Sequence, residues 1–234
     1  MSIADNLADV RRRVAEAARR ARRSPSEVTL VAVSKTFGAE AVGEAWAAGQ
    51  REFGENRVQE ALQKMAGTAD MEIRWHLIGH LQSNKVRKAA EAFAVIQSVD
   101  SLALLEKLDA AAAALTSSVG PEMLVQVDFT GEATKFGAPE PEAVRCVHAA
   151  LEARALRPAG LMLMPPWNDD PEATRPWFAR LRALRDRLLA EGVPPGALRQ
   201  LSMGMSHDFE IAIEEGSTLV RVGTAIFGKR QVRP

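Results

Sequence analysis

Lys35 stands at the end of an apolar, largely β-branched run, Val28-Thr29-Leu30-Val31-Ala32-Val33, with only Ser34 between them. Taking an ammonium out of water disfavours its charged form, and the neutral amine that results is a nucleophile toward an aldehyde. A lysine at such a place is equally well read as one that snorkels, stem on apolar surface and head in water. Near the other end of the chain, Ser202-Met203-Gly204-Met205-Ser206 follows a second apolar run. Glycine there permits close backbone approach, Ser206 is placed to cap a following helix, and free N–H groups suit a phosphate. Arg221-Val222-Gly223-Thr224 repeats the theme with a glycine and a hydroxyl neighbour. Arg221 lies two residues before Gly223, so in a strand both face the same way, and the guanidinium either points into a site or serves a buried ion pair.

Asn56, after Gly54-Glu55, and His80, after Gly79, complete the set. His76 and His80 have a spacing of four, which on a helix would suggest metal. Here His76 falls in an extended run and His80 lies beyond a glycine, with no third ligand nearby, so no metal is expected. His148 belongs to a helical segment, and His207, next to Ser206, can serve structure or site. The Walker loop, the G-x-S-x-G elbow and H-E-x-x-H are all missing from the sequence.

These residues must be held by the elements between them. Beside Val28–Val33, candidate strands are Arg51–Phe53, Trp75–Ile78, Ala94–Val99, Met123–Phe129, Ala159–Met164, Arg199–Met203 and Thr218–Val222. Helical spacing marks the first helix through Ile3, Leu7, Val10, Val14 and Ala21, then Ala39–Ala48, Val58–Met65, Ser83–Ala90, Ser101–Leu115, Pro139–Ala153, Glu172–Ala190 and Asp208–Glu214. In the segment before the seventh strand, Trp177, Leu181, Leu184 and Leu188 are expected on one face. Eight strands alternating with helices in 234 residues predict an α/β protein, a single (β/α)8 TIM barrel over residues 1–234 with an extra N-terminal helix. The alternative is a doubly wound open sheet, which loses ground because no G-x-G-x-x-G follows the first strand. In a barrel, chemistry gathers at the C-terminal strand ends, where Lys35, Asn56, His80, Ser202, Met203, Arg221, Gly223 and Thr224 all fall.

Lys and Arg number 30 against 30 Asp and Glu, a balance that argues against a nucleic-acid or membrane-surface binder. The basic N-terminal stretch, Arg11 to Arg23, is broken by acidic residues and reads as an amphipathic surface helix. Neither a secretory apolar segment nor a run long enough to span a bilayer is found, and the lone Cys146 cannot form an internal disulfide. A cytoplasmic protein is expected.

The motifs Val31-Ala32-Val33-Ser34-Lys35-Thr36, Phe53-Gly54-Glu55-Asn56 and the long Trp75-to-Lys85 stretch WHLIGHLQSNK resemble one known family. Gly160-Leu161-Met162, Leu201 to Ser206, and Arg221 to Gly228 continue the likeness in order across nearly the whole chain. The family is the YggS/PROSC-type pyridoxal-phosphate homeostasis proteins. The resemblance implies a barrel like the N-terminal domain of alanine racemase, with pyridoxal 5′-phosphate (PLP) held as a Schiff base on Lys35. It implies phosphate contacts from Ser202, Gly223 and Thr224, with Met203 beside them, Arg221 facing the pyridine nitrogen, and Asn56 and His80 lining the pocket. Relatives often carry tyrosine where this chain has Arg57, and Trp167-Asn168 is a second departure, so rim contacts there are open.

Three functional readings follow. The first is a non-catalytic PLP-binding protein of cofactor homeostasis, a monomer that stores, buffers or delivers PLP, with PLP-dependent apo-enzymes as recipients. The second is an amino-acid racemase, which needs an acid–base group on each face of the bound substrate, commonly lysine and tyrosine. The sequence holds no tyrosine and ends soon after the eighth strand, where the second domain of alanine racemase is not expected. The third is a PLP-free barrel enzyme in which Lys35 condenses with a phosphorylated substrate. Lys85 and Lys135 are open as secondary PLP contacts.

Overall fold

The apolar runs form parallel strands in a computed structural model that describes residues 2–115, 120–131 and 136–228. They are β1 (Thr29–Val33), β2 (Glu52–Glu55), β3 (Arg74–Leu77), β4 (Val95–Val99), β5 (Glu122–Asp128), β6 (Ala138–Pro139), β7 (Arg157–Leu163), β8 (Gln200–Ser202) and β9 (Leu219–Val222). Each long strand pairs with its successor, β4 pairs with β5, and β9 returns to β1, so eight strands close a ring. The open-sheet alternative falls with that closure. The two-residue β6, which the sequence does not announce, pairs with the end of β5 at Val127–Ala138 and Asp128–Pro139.

The helices are α1 (Ile3–Arg20), α2 (Ala39–Ala47), α3 (Val58–Ala66), α4 (Val86–Ala92), α5 (Leu102–Ala113), α6 (Glu140–Leu151), α7 (Arg175–Ala190), α8 (Phe209–Glu214) and α9 (Thr224–Phe227). Their apolar faces and the outward strand residues make one continuous core. On α7 the buried face is Phe178, Leu181, Leu184 and Leu188, while Trp177, expected on that face, is only partly buried at its edge, one position from Phe178. The four-residue α9 cannot cover the flank beside β9, and α1 packs there against α2, α8 and α9. A capping box starts α1: the Ser2 hydroxyl accepts from Asp5 N–H at 3.1 Å, and Asp5 accepts from Ser2 N–H at 3.0 Å. The basic face of α1 has defined partners, with Arg13 and Arg20 on Glu210 and Glu214 of α8, and Asn6 donating to the Ile226 carbonyl at 2.9 Å.

Register separates the two faces of the sheet. Val31 pairs with Arg221, and Ala32 with Val222. Val31 belongs to a small second cluster with Val95, Leu124, Ala159, Met162 and Leu219, which fills the barrel interior, whereas Ala32 and Val222 join the outer core. Side chains in a strand alternate, so Arg221 also points inward. His76, Gln97, Gln126 and Ser202 are buried with it. Barrel interiors of this kind are usually layers of branched apolar residues, so a polar file inside this one needs a reason.

Candidate functional site

Beyond Val33 the chain makes a tight turn in which Phe37 N–H donates to the Ser34 carbonyl at 3.0 Å. Lys35 is exposed within this turn, so neighbouring protein does not supply the desolvation its position at a strand end leads one to expect. Thr36 has φ +71°, left-handed backbone that a β-branched residue adopts only when surroundings force it. The force comes from below. Lys64 of α3 donates to Glu55 Oε1 at 2.6 Å and to the Ser34 carbonyl at 2.7 Å, while the Ser34 hydroxyl donates to the same Oε1 at 2.6 Å. The lysine removed from water is therefore Lys64, buried with a fully buried Glu55. Glu55 Oε2 has no hydrogen-bond partner among the described residues. A lysine on the buried Val58–Ala61–Lys64 stripe of α3 is the sequence signal for this clamp.

Across the mouth, Arg221 donates to the Ser202 hydroxyl at 2.5 Å and to the Leu163 carbonyl at 2.9 Å. Burial pushes the guanidinium down to about 10, with Asp208 acting in the other direction, so it remains a cation at neutral pH. Two of the expected contacts lie away from the cavity. Ser202 and Met203 are fully buried: Ser202 faces the interior between Arg221 and Gln97, and Met203 joins the outer core. The serine at the mouth is Ser206, and it does not cap α8, whose N-cap is Asp208. Its hydroxyl reaches across to accept from Gly223 N–H at 3.2 Å and Ala225 N–H at 3.4 Å, at the start of α9. Gly204 makes the path possible, with φ +92° and a position where an added Cβ would sit 2.5 Å from Ala212 Cβ.

The third wall carries Asn56 and His80. An added Cβ on Gly79 would lie 2.3 Å from the Asn56 carbonyl, so only glycine lets these two strand ends meet. His80 stacks on Phe136 with centroids 4.0 Å apart and places Nδ1 3.3 Å from Asp100. Burial raises the Asp100 carboxyl above its ordinary value, opposed by His80. His76 is inside the barrel rather than beside His80, and among the described residues no group of three or more His, Cys, Asp or Glu is placed to hold a metal. On the outer rim Trp167 stacks on His207 at 4.6 Å, and Arg57 pairs with Glu60 at 3.1 Å.

One cavity of about 1220 Å³ gathers these groups: Lys35, Asn56, His80, Arg221, Gly223, Thr224 and Ser206 all line it. Lys85 lines it as well, and Lys135 lies outside the described residues. It therefore offers an open amine, a buried cation, and hydroxyl and N–H groups at a helix start.

The model of the alanine racemase N-terminal domain family matches residues 6–231 of this parallel eight-stranded barrel, and the chain belongs to that family. Alanine racemase of Clostridium difficile 630 shares the fold, with a TM-score of 0.72, at 15% identity and over 57% of that chain. Within the family the chain is one of the pyridoxal phosphate homeostasis proteins. It is 45% identical to the protein of that name from Pseudomonas aeruginosa, over 98% of this chain and 96% of that one. To the Aquifex aeolicus protein it is 40% identical, over 99% and 100%. The PipY protein of Synechococcus elongatus PCC7942, solved with PLP bound, superposes with a TM-score of 0.84 at 41% identity, over 97% and 100%. No helix among the described residues is long and apolar enough to cross a membrane.

Proposed function

We propose that the chain is a single-domain, monomeric PLP carrier of the cytoplasm, which holds PLP as a Schiff base on Lys35 for storage, buffering or delivery to PLP-dependent apo-enzymes. The observation that carries this reading is that the Lys35 amine shares one cavity with a buried arginine and the start of α9. A phosphorylated pyridine aldehyde asks for an amine, for donors to a phosphate and for a partner to the ring nitrogen, and the lining fits each demand. The Thr224 and Ser206 hydroxyls would take the phosphate together with Gly223 N–H, which would have to leave Ser206 to do so; Asn56 and His80 would flank the ring, and Arg221 would face its nitrogen. When bound, PLP supplies an aldehyde carbon open to amine exchange and a ring able to draw electrons from it. Arg221, a buried cation at neutral pH, would favour an unprotonated ring nitrogen and so weaken that electron sink. A chain without tyrosine lacks the commonest second acid–base partner for racemisation, which further supports holding over catalysis. The exposed Lys35 would keep a bound aldehyde within reach of an incoming amine, as transfer to an apo-enzyme requires. The relatives' name, pyridoxal phosphate homeostasis protein, and the buried lone Cys146, suited to a reducing compartment, support the cellular role.

Titration with PLP should give a visible absorption band that Lys35→Ala loses. No band in the parent protein would overturn the reading. Incubation of the loaded protein with L-alanine in deuterated water should leave the α-proton in place, and exchange at enzymatic rates would overturn the carrier assignment.

A further inference from the structure

Arg221 is the upper end of a hydrogen-bonded file that runs through the barrel. Its guanidinium donates to Ser202 Oγ at 2.5 Å, and Ser202 Oγ donates to Gln97 Oε1 at 2.6 Å. Gln97 Nε2 lies 2.8 Å from His76 Nδ1, and His76 Nε2 lies 2.5 Å from Glu52 Oε2. The direction of every bond is fixed by chemistry at the ends. Arginine can only donate, so Ser202 must accept from it and pass its single proton to the Gln97 oxygen. The Gln97 amide then turns its N–H to His76, whose Nδ1 must be the acceptor. Its Nε2–H in turn donates to the Glu52 carboxylate. All four links point the same way, with a cation at the mouth and an anion at the base. His76, Gln97, Ser202 and Arg221 are almost wholly buried, whereas Glu52 reaches a small cavity of about 290 Å³ at the opposite end of the barrel.

We propose that Glu52, His76, Gln97 and Ser202 are positioning residues for Arg221, a polar spine that sets where the guanidinium sits and how it meets the ring nitrogen of bound PLP. None of the four lines the mouth cavity. The spine orients and does not conduct, because the Gln97 amide cannot pass a proton along without tautomerising. Chains of hydrogen bonds with one direction polarise one another, so loss of a central link loosens the arginine even though its own two bonds survive. Apolar side chains would fill the barrel at less risk, since a partly satisfied buried polar file costs more than none. Holding one buried cation in one orientation accounts for the polar file.

The proposal rests on the PLP reading above, and the test separates the two. Gln97→Leu removes both central bonds without touching the cavity, and Gln97→Glu keeps the acceptor for Ser202. Each is titrated with PLP, its absorption band followed against pH, and its thermal midpoint measured. Gln97→Leu should still be trapped on Lys35 by borohydride, with PLP bound about tenfold more weakly, the equivalent of one lost hydrogen bond to a charged group. Its band should titrate at a shifted pH. Gln97→Glu keeps the link to Ser202 but has no N–H for His76, so it should recover only part of the affinity, which a merely structural loss of stability would not predict. If Gln97→Leu does not fold, Ser202→Ala carries the same expectation with less disturbance. Parental affinity and band position in the folded Gln97→Leu, or in Ser202→Ala, overturn the spine while leaving the PLP reading intact. A parent protein that borohydride does not label overturns the PLP reading itself.

Discussion

Lys64→Met tests whether the Lys35 turn is clamped by a buried ion pair. The substitution keeps an unbranched stem on α3 and removes the ammonium, with its bonds to Glu55 at 2.6 Å and to the Ser34 carbonyl at 2.7 Å. Glu55 is then left with one hydrogen bond, from the Ser34 hydroxyl, and its Oε2 has none to begin with among the described residues. Stranding a buried charge in this way costs about 3–5 kcal/mol. For a chain of this size each kcal/mol moves the midpoint by roughly 2–4 °C, so a fall of about 6–20 °C is expected. Adding Glu55→Gln removes the stranded charge but keeps an acceptor for Ser34, and the double variant should recover at least half of the loss. Urea unfolding followed by circular dichroism and tryptophan fluorescence gives the free energies of both variants, and a thermal scan gives the midpoints. A loss below about 1 kcal/mol in Lys64→Met, or a double variant no better than the single, would refute the clamp.

Three further outcomes follow from backbone and charge. Thr36→Gly should stabilise the fold by about 1 kcal/mol in the same urea assay, because glycine adopts φ +71° without the steric penalty of a β-branched residue. Gly204→Ala should destabilise by more than about 2 kcal/mol, since it adds positive-φ strain to a 2.5 Å overlap with Ala212 Cβ. Asp109 is raised by partial burial but pulled further down by the N–H groups of Ala155, Arg154 and Leu156, to a net position below its ordinary 3.8. Its stabilisation is therefore complete above the unfolded value and is lost as pH falls through the lower folded one. Asp109→Asn should be less stable than the parent at neutral pH, with the gap closing in strong acid; a gap independent of pH would contradict the assignment.

The strands were readable because β-branched runs separated by helical spacing have few other homes, and each expected strand forms within a few residues of its bounds. What local pattern missed was fixed by tertiary contact. The β6 pairing is two residues long, and α9 is a single turn covered by α1. On α7, Trp177 has the right spacing but sits at the edge of a face centred on Phe178. At the candidate site, the βα-end rule located Lys35, Asn56, His80, Arg221, Gly223 and Thr224 at one cavity. Ser202 and Met203 do not line that cavity, because β8 ends on a serine that faces inward and the chain reaches the mouth at Ser206. Alternation says which way a side chain points and nothing of what it meets. For that reason the file from Glu52 to Arg221 was not visible in the residues, and the Glu55–Lys64 clamp left only a lysine on the buried stripe of α3 as its mark, although Glu55 and His76 both fall inside motifs that carried the family resemblance.

The most direct measurement is peptide mass mapping of the protein after incubation with PLP and reduction with borohydride. The expected result is one phosphopyridoxyl group on the peptide that carries Lys35, abolished in Lys35→Ala and retained in Lys64→Met. Label confined to other lysines, or none at all, would contradict the assignment of Lys35 as the residue that holds the cofactor.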